Sequence, residues 1–217
     1  MDARTWDERY AAAELVWSAR PNQFVEAELA DLAPGRAVDL AAGEGRNAIW
    51  LAEQGWRVTA VDFSLVGLDK GREALERHPR GRDLHVDWVH ADVLEWEPGP
   101  VGYDLAVVAY LQLVAPERRR AVRHAFDSLV VGGTLLVVAH DTTNHTEGTG
   151  GPTDPAVLYT AAEVLDDLAD RQLETVRAGC ARWETGSSPP PTSRATRSAR
   201  TVSSCRSARS SRTSAAV

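Results

Sequence analysis

The sequence predicts an α/β fold built on a doubly wound, mostly parallel sheet. Short apolar runs such as Ala37–Ala41 and Thr134–Ala139 alternate along the chain with segments of helical period. These runs have no polar face, which is typical of strands that helices cover on both sides. Because strands alternate with helices, right-handed crossovers and parallel pairing are expected. The length of 217 residues favours one such domain with additions.

The predicted elements follow one another in a simple order. Two helices come first: Thr5 and Glu8 fit a capping box, and a second helix begins at Pro21. Strands are then predicted over 37–41, 56–62, 84–90, 104–110 and 134–139, with a further candidate over 173–183. Helices are predicted over 46–54, over 64–77, from 116 to the glycine pair at 132, and over 160–170 behind a second capping box at Thr160 and Glu163.

The chain is predicted to have three parts. Residues 1–35 form a helical N-terminal lid, residues 36–185 form the main domain, and residues 186–217 form an atypical tail. Serine, threonine, arginine and proline supply 23 of the 32 tail residues. Such a segment buries too little apolar surface to offset its ordering entropy, so we expect it to be unstructured. Its only weak strand candidate is Thr201–Cys205.

Composition and charge narrow the classes of function. Residues 1–185 hold 18 basic and 31 acidic side chains, a net charge of −13 that would repel a nucleic-acid backbone. No apolar run reaches the length of a membrane-spanning helix, and no secretion signal is evident. Cys180 and Cys205 fit neither a disulfide framework nor a zinc site. We therefore expect a cytoplasmic protein, monomeric or weakly dimeric, without nucleic-acid or membrane partners.

The stretch from Val38 to Asn47 carries most of the functional information. A strand runs into a turn of small residues and then into a helix, and Gly43 and Gly45 let a ligand approach the backbone closely. The start of the helix offers unpaired N–H donors to a carboxylate or a phosphate. Two ligands fit this pattern, a dinucleotide and S-adenosylmethionine (SAM).

The charges around the turn favour SAM over a dinucleotide. A glycine pattern that starts at Gly43 does fit the degenerate dinucleotide motif, with Asp62 19 residues further on. However, the carboxylates of Asp39 and Glu44 would be unfavourable beside a pyrophosphate. SAM carries an ammonium and a sulfonium, and both favour nearby carboxylates.

The ends of the second and third strands add two further carboxylates. Asp62 suits a bidentate hydrogen bond to both ribose hydroxyls, which either ligand would need. Asp92 follows the third strand, where its carboxylate can accept a hydrogen bond from an adenine amino group. Val93 and Phe63 are placed to pack on the two sides of the adenine ring.

These motifs resemble those of a known family. The pattern Asp39-x-Ala41-x-Gly43-x-Gly45, together with Asp62 and Asp92, is similar to the three SAM-binding motifs of class I SAM-dependent methyltransferases, which have a Rossmann-like fold. The resemblance covers about residues 36–175. Within that superfamily, the sequences that begin at Gly45, Trp50 and Gly55 resemble the tellurite-resistance and thiol methyltransferase group.

The resemblance implies a role for each motif residue. Asp39, Gly43 and Gly45 would surround the methionine part of SAM, Asp62 would hold the ribose, and Asp92 with Val93 would hold the adenine. The segment from Tyr110 to Gln112 would line the side from which the methyl group leaves. Arg46 and Asn47, at the start of the helix, are further candidate ligand contacts.

The sequence departs from the family pattern in two places. Ala41 replaces the usual first glycine, a mild change that should leave the site usable. The family normally ends in an antiparallel pair of strands, the last of which lies beside the fifth strand, and residues 186–217 do not resemble that strand. An uncovered edge of the fifth strand would lower stability and promote self-association.

Catalytic candidates follow the fourth and fifth strands. His140 or Asp141 is a candidate general base in a loop rich in threonine, asparagine and glycine, and Tyr110 is a third candidate. A metal site made from His140, Asp141 and His145 is not favoured. Trp6, Tyr10 and Trp17 are candidates for an aromatic lid over the cofactor, and Arg20 is a candidate contact of its carboxylate.

The sequence thus predicts a SAM-dependent methyltransferase that acts on a small molecule, with a thiol or another soft nucleophile favoured as the acceptor. Such a nucleophile needs little help from a general base, because SAM is already activated. Two alternatives remain open at this stage. One is an NAD-dependent oxidoreductase, and the other is a protein that binds SAM without catalysis.

Overall fold

The structure is a computed structural model that describes residues 2–148, 150–177, 180–181 and 199–204. Its centre is one sheet in which every pair of adjacent strands is parallel. The strands are β1 (Arg36–Leu40), β2 (Arg57–Asp62), β3 (Val86–His90), β4 (Tyr103–Ala109), β5 (Leu129–His140), β6 (Thr175–Arg177), β7 (Cys180–Ala181) and β8 (Ala199–Ser204). Their order is β3-β2-β1-β4-β5-β8-β6, with β7 paired to β8. The predicted Rossmann-like fold is confirmed.

Helices precede and separate these strands. They are α1 (Ala3–Ala11), α2 (Gln23–Leu29), α3 (Arg46–Glu53), α4 (Leu65–Arg77), α5 (Ala115–Asp127), α6 (Asn144–Glu147) and α7 (Ala161–Asp167). Among the described residues, no helix is both long and apolar enough to span a bilayer.

Two apolar clusters cover the two faces of the sheet. One joins α5 and α7 to the sheet, and the other joins α2 and α3 to it. Strand β1 contributes to both, since Val38 and Leu40 lie in the first cluster and Ala37 in the second. This two-sided burial explains why the strand sequences show no polar face.

The helix starts follow local capping chemistry, with two corrections. The helix predicted to begin at Pro21 begins at Gln23, behind the cap residue Asn22. The capping box predicted at Thr5 and Glu8 is wrong: Thr5 lies inside α1, and the Asp2 side chain accepts a hydrogen bond from the Thr5 backbone N–H. A preceding carboxylate is as good a cap as a threonine hydroxyl, so the sequence did not separate them. The capping box of Thr160 and Glu163 is confirmed at the start of α7.

The edge of the fifth strand differs from the prediction. Strand β8, which overlaps the weak candidate Thr201–Cys205, pairs with β5 over Leu136–His140, so the expected uncovered edge is wrong there. The pairing is parallel, unlike the antiparallel ending usual in the family. The other residues of the tail, 186–198 and 205–217, lie outside the described residues, as does the end of the strand candidate at 182–183. The proposed division into lid, domain and tail stays a prediction.

Candidate active site

The candidate site lies where the strand order changes direction. Strand β1 has β2 on one side and β4 on the other, and ligands of such sheets bind beyond the carboxyl ends of the strands at this switch point. The turn after β1 is held open by three residues with left-handed backbone, Ala41, Gly43 and Gly45, with φ of 58°, 57° and 72°. The turn therefore has the left-handed shape that the sequence predicted there, and the side chains of Tyr10 and Trp88 pack against Gly43 and Gly45.

Ala41 is the strained member of this turn. An L-residue in the left-handed region has its Cβ close to the following carbonyl, which costs about 1–2 kcal/mol and which glycine avoids. The chain adopts this conformation nonetheless, with the Ala42 N–H donating to the Val61 carbonyl at 3.0 Å. The turn thus keeps the shape that a glycine at position 41 would give it.

Asp39 lies beneath the turn and is almost completely buried, with 1% of its surface exposed. The Ala48 backbone N–H at the start of α3 donates to its carboxylate, while its Oδ2 atom has no hydrogen-bond partner among the described residues. Burial, reinforced by the nearby charge of Asp62, raises the pKa of Asp39 to about 7. A buried carboxylate oxygen without a donor is a strong point of attraction for a cationic ligand group.

Asp62, at the end of β2, is fixed by backbone donors. Its Oδ2 accepts from the Gly43 N–H at 2.7 Å, and its Oδ1 accepts from the Ser64 N–H at 2.8 Å. Burial raises its pKa although these hydrogen bonds oppose the change. Each carboxylate oxygen can accept a second hydrogen bond, so the pair stays available to two hydroxyl groups.

Glu44 faces the N-terminal segment. Its carboxylate accepts from the Val16 and Trp17 backbone N–H groups at 3.1 and 3.2 Å, and it pairs with Lys70 at 3.1 Å. The Lys70 ammonium also donates to the carbonyl oxygens of Tyr10 and Ala13, at 2.6 and 2.5 Å. Lys70 is the single lysine of the chain, and sequence reasoning missed this role. The one available signal in the sequence was that a lysine stands at position 70 in a chain whose other basic residues are arginines.

The N-terminal segment covers the glycine turn with aromatic rings. Tyr10 is buried, and its hydroxyl lies so close to Gly43 that a Cβ there would collide with it. Trp6 packs on Tyr10 with ring centroids 5.4 Å apart, and Trp17 forms a hydrogen bond with Tyr10. Asp7 accepts from the Ser64 hydroxyl at 2.5 Å. The aromatic side chains of the N-terminal segment therefore pack over the turn, and their role as a lid over the cofactor stays a prediction.

Four other candidates make contacts within the protein, and their roles towards a ligand stay predictions. Asn47 is buried and accepts the Asn22 N–H at 2.9 Å, so it anchors the start of α2. Asp92 is exposed, and its Oδ1 caps a turn by accepting the Leu94 N–H at 2.8 Å. Val93 lies in the core cluster that includes α5. The Phe63 carbonyl receives a hydrogen bond from His90 at 2.9 Å.

Tyr110 follows β4 in a strained conformation, with φ of 61°. Its N–H donates to the Val138 carbonyl at 2.6 Å, and its ring lies 4.7 Å from that of His140. Gln112 accepts the His140 N–H at 2.7 Å. Strained non-glycine residues persist where surrounding contacts enforce them, and they cluster at functional sites. The structure therefore brings Tyr110 and His140 together beside the switch point.

Asp141 and His145 form hydrogen bonds within the loop that follows β5. The Oδ1 atom of Asp141 accepts hydrogen bonds from the Thr142 hydroxyl and from both the N–H and the hydroxyl of Thr143, at 3.0–3.2 Å. His145 contacts the Thr153 carbonyl at 2.9 Å. These bonds give Asp141 a turn-capping role. Over the described ranges, no group of three or more histidine, cysteine or acidic side chains is placed to hold a metal ion.

Comparisons with known proteins agree with this geometry. A family model described as a methyltransferase domain matches residues 37–133. Trans-aconitate 2-methyltransferase of Rhodococcus jostii (strain RHA1) is 30% identical over 192 residues, which are 83% of this chain and 72% of that protein. The N-methyltransferase NodS of Bradyrhizobium japonicum WM9, solved with S-adenosylhomocysteine (SAH), shares the fold, with a TM-score of 0.59 and 21% identity over 78% of this chain and 86% of that one.

Coverage of the relatives varies. A trans-aconitate 2-methyltransferase of Rhodopseudomonas palustris (strain HaA2) is 30% identical over 122 residues, which are 56% of this chain. The chain spans about half of that relative's length, since the match covers 45% of it.

The strain at Ala41 yields a stability prediction. We expect Ala41→Gly to leave stability unchanged or to raise it by up to about 1 kcal/mol, because relief of the left-handed alanine offsets the greater freedom of glycine in the unfolded chain. Chemical denaturation measures this. The matched control is Ala74→Gly within α4, where glycine should cost about 1 kcal/mol. Equal destabilisation by both substitutions would contradict the account of the turn.

Proposed function

The chain belongs to the class I SAM-dependent methyltransferase family, and from that premise we propose that it transfers the methyl group of SAM to a small-molecule acceptor. SAM is the cofactor of this family. The observation that carries the proposal is the buried Oδ2 atom of Asp39, which has no hydrogen-bond partner among the described residues and lies under the turn of left-handed residues after β1. A cationic ligand group there would give this oxygen a partner that the described residues do not supply.

The other carboxylates fit the same cofactor. Asp62 is held by two backbone amides with one acceptor position left on each oxygen, which suits the two ribose hydroxyls. Asp92 and Phe63 lie at the ends of neighbouring strands, where they would hold the adenine, and Val93 would support it from the core. Asn47 would act through the backbone, because it fixes the start of α2 beside the turn.

The chemistry requires little from the protein beyond positioning. The sulfonium of SAM supplies an activated methyl carbon: the acceptor's lone pair forms the new bond to carbon while the carbon–sulfur pair returns to sulfur. Tyr110 and His140 would line the side from which the acceptor approaches. A protonated acceptor would lose its proton to His140 or to solvent, whereas an anionic acceptor has no proton to lose.

The proposed acceptor class follows from the relatives. Four of them are named trans-aconitate 2-methyltransferases, which supports a small molecule as the acceptor. A thiol acceptor, suggested by resemblance to the tellurite-resistance and thiol methyltransferase group, stays part of this proposal.

A turnover assay tests the proposed activity. Purified protein with SAM is offered a panel of a small thiol, an amine and the tricarboxylate trans-aconitate, and SAH formation is followed by mass spectrometry. We expect acceptor-dependent SAH formation with at least one member and its loss in Asp62→Ala. A protein that binds SAH yet turns over none of the panel would favour non-catalytic SAM binding and contradict the proposal.

Asp39 generates a prediction about pH. Because its pKa in the free protein is raised to about 7, a bound cation must displace a proton below that pH. We expect the affinity for SAH to fall towards tenfold per pH unit as the pH is lowered from 7 to 5.5 in the wild type. Asp39→Asn should bind more weakly and without that dependence, as measured by calorimetry.

The stability of the free protein should move in the opposite direction. A raised pKa means that the contribution of Asp39 to stability is full below about pH 4 and is lost as the pH rises through 7. Asp39→Asn should therefore raise the free energy of unfolding at pH 8 by roughly 2–4 kcal/mol, as measured by chemical denaturation. This difference between the variant and the wild type should shrink towards pH 4. Asp69→Asn on the exposed face of α4 is the control. A variant that gains no stability at pH 8 would contradict the buried-charge account.

A further inference from the structure

Two arginines from different parts of the chain converge on one aromatic ring. The guanidinium carbon of Arg9, on the last turn of α1, lies 5.6 Å from the centroid of the Trp17 ring. That of Arg46, the first residue of α3, lies 5.4 Å from the same centroid. Arg9 also lies 4.9 Å from the Trp6 ring. Stacking on aromatic faces holds guanidinium groups in place while leaving their N–H edges free to donate.

Neither guanidinium group forms a direct ion pair. Within the part of the chain that the structure describes, no carboxylate lies within 4 Å of Arg9 or Arg46. The carboxylates of Asp39 and Glu44 attract Arg46 from a greater distance. Glu44 pairs with Lys70 at 3.1 Å, and burial shifts Asp39 towards its neutral form. The cluster Arg9–Trp17–Arg46 is therefore a positive spot in a protein whose net charge is −7.

The position of this cluster relates it to the methyl-accepting side. Arg46 directly follows Gly45, at the carboxyl end of β1, and Tyr110 at the end of β4 is among its electrostatic neighbours. Arg46 thus adjoins the turn after β1 and lies within electrostatic range of Tyr110. Arg9 and Trp17 reach the same place from the lid. An anion at this cluster would contact the N-terminal segment on one side and would lie beside the proposed site of transfer.

We propose that Arg46 and Arg9, stacked about Trp17, bind a carboxylate of the acceptor, so that the acceptor is an anionic small molecule. This proposal rests on the proposed methyl transfer. Guanidinium groups match carboxylates in a two-pronged geometry, and the partial burial of Arg46 strengthens such a pair. Trp17, 37% exposed, gives the acceptor access to both guanidinium groups from solvent.

The test measures binding of trans-aconitate to protein saturated with SAH, by calorimetry. The variants are Arg46→Gln, Arg46→Lys and Arg9→Gln, with the exposed Arg57→Gln at the start of β2 as the matched control. We expect Arg46→Gln to weaken binding about 10- to 100-fold, Arg9→Gln to weaken it about 3- to 10-fold, and Arg57→Gln to change it less than twofold. Arg46→Lys should bind with intermediate affinity, because it keeps the charge and loses the fork.

A second set of titrations distinguishes an arginine that binds the acceptor's carboxylate from one that binds the carboxylate of the cofactor. SAH and methylthioadenosine, which lacks the amino-acid part, are titrated into each variant, and the proposal expects the affinity for both to stay within threefold of wild type. If Arg46→Gln weakens the binding of SAH but not that of methylthioadenosine, Arg46 binds the cofactor's carboxylate and the proposal is overturned. It is also overturned if the SAH-loaded wild type does not bind the tricarboxylate while the SAM-loaded wild type methylates a neutral thiol, a result that leaves the proposed function intact. Failure of wild type to bind SAH would overturn both.

Discussion

The burial of two carboxylates at the ends of adjacent strands determines both the stability of this site and its affinity for a cation. Asp39 and Asp62 lie beneath one turn with 1% and 4% of their surface exposed, close enough for the charge of Asp62 to raise the pKa of Asp39. Burying like charges together is unfavourable, and the chain compensates only partly, with the charge of Arg46 near Asp39 and with the amides of Gly43, Ser64 and Ala48. The remaining cost is what a bound cation would recover. Stability of the free protein and affinity for the cofactor are therefore opposed at this point.

The lid is tied to the same turn by a separate set of charges. Glu44 and Lys70 hold the backbone of residues 10–17, while Asp7 accepts hydrogen bonds from Ser64 and Val66 at the start of α4. Since Ser64 also donates to Asp62, the lid and the proposed ribose carboxylate share a contact. Movement of the lid and occupation of the turn should be coupled through these residues. Tyr10, which covers Gly43, is the side chain that a ligand would meet first.

The predictable part of this protein is the part encoded in short stretches of sequence. The turn at Gly43 and Gly45, the strand ends at Asp62 and the capping box at Thr160 depend on neighbours in the chain, and local patterns identified them. The partners of Glu44 and Asn47 lie more than 20 residues away, so no local pattern shows that they hold the N-terminal segment. Strand β8 was similarly hidden, because a polar segment pairs through backbone groups that any sequence possesses. The unpaired arginines at Trp17 became visible only once three separate segments were brought together.

The central claim is that this turn binds the SAM scaffold and not a dinucleotide. The most direct measurement is isothermal titration of the folded wild-type protein with SAH at pH 8, with NAD titrated in parallel. The account predicts micromolar binding of SAH at one site and no heat from NAD. Binding of NAD, or a folded protein that fails to bind SAH, would contradict it.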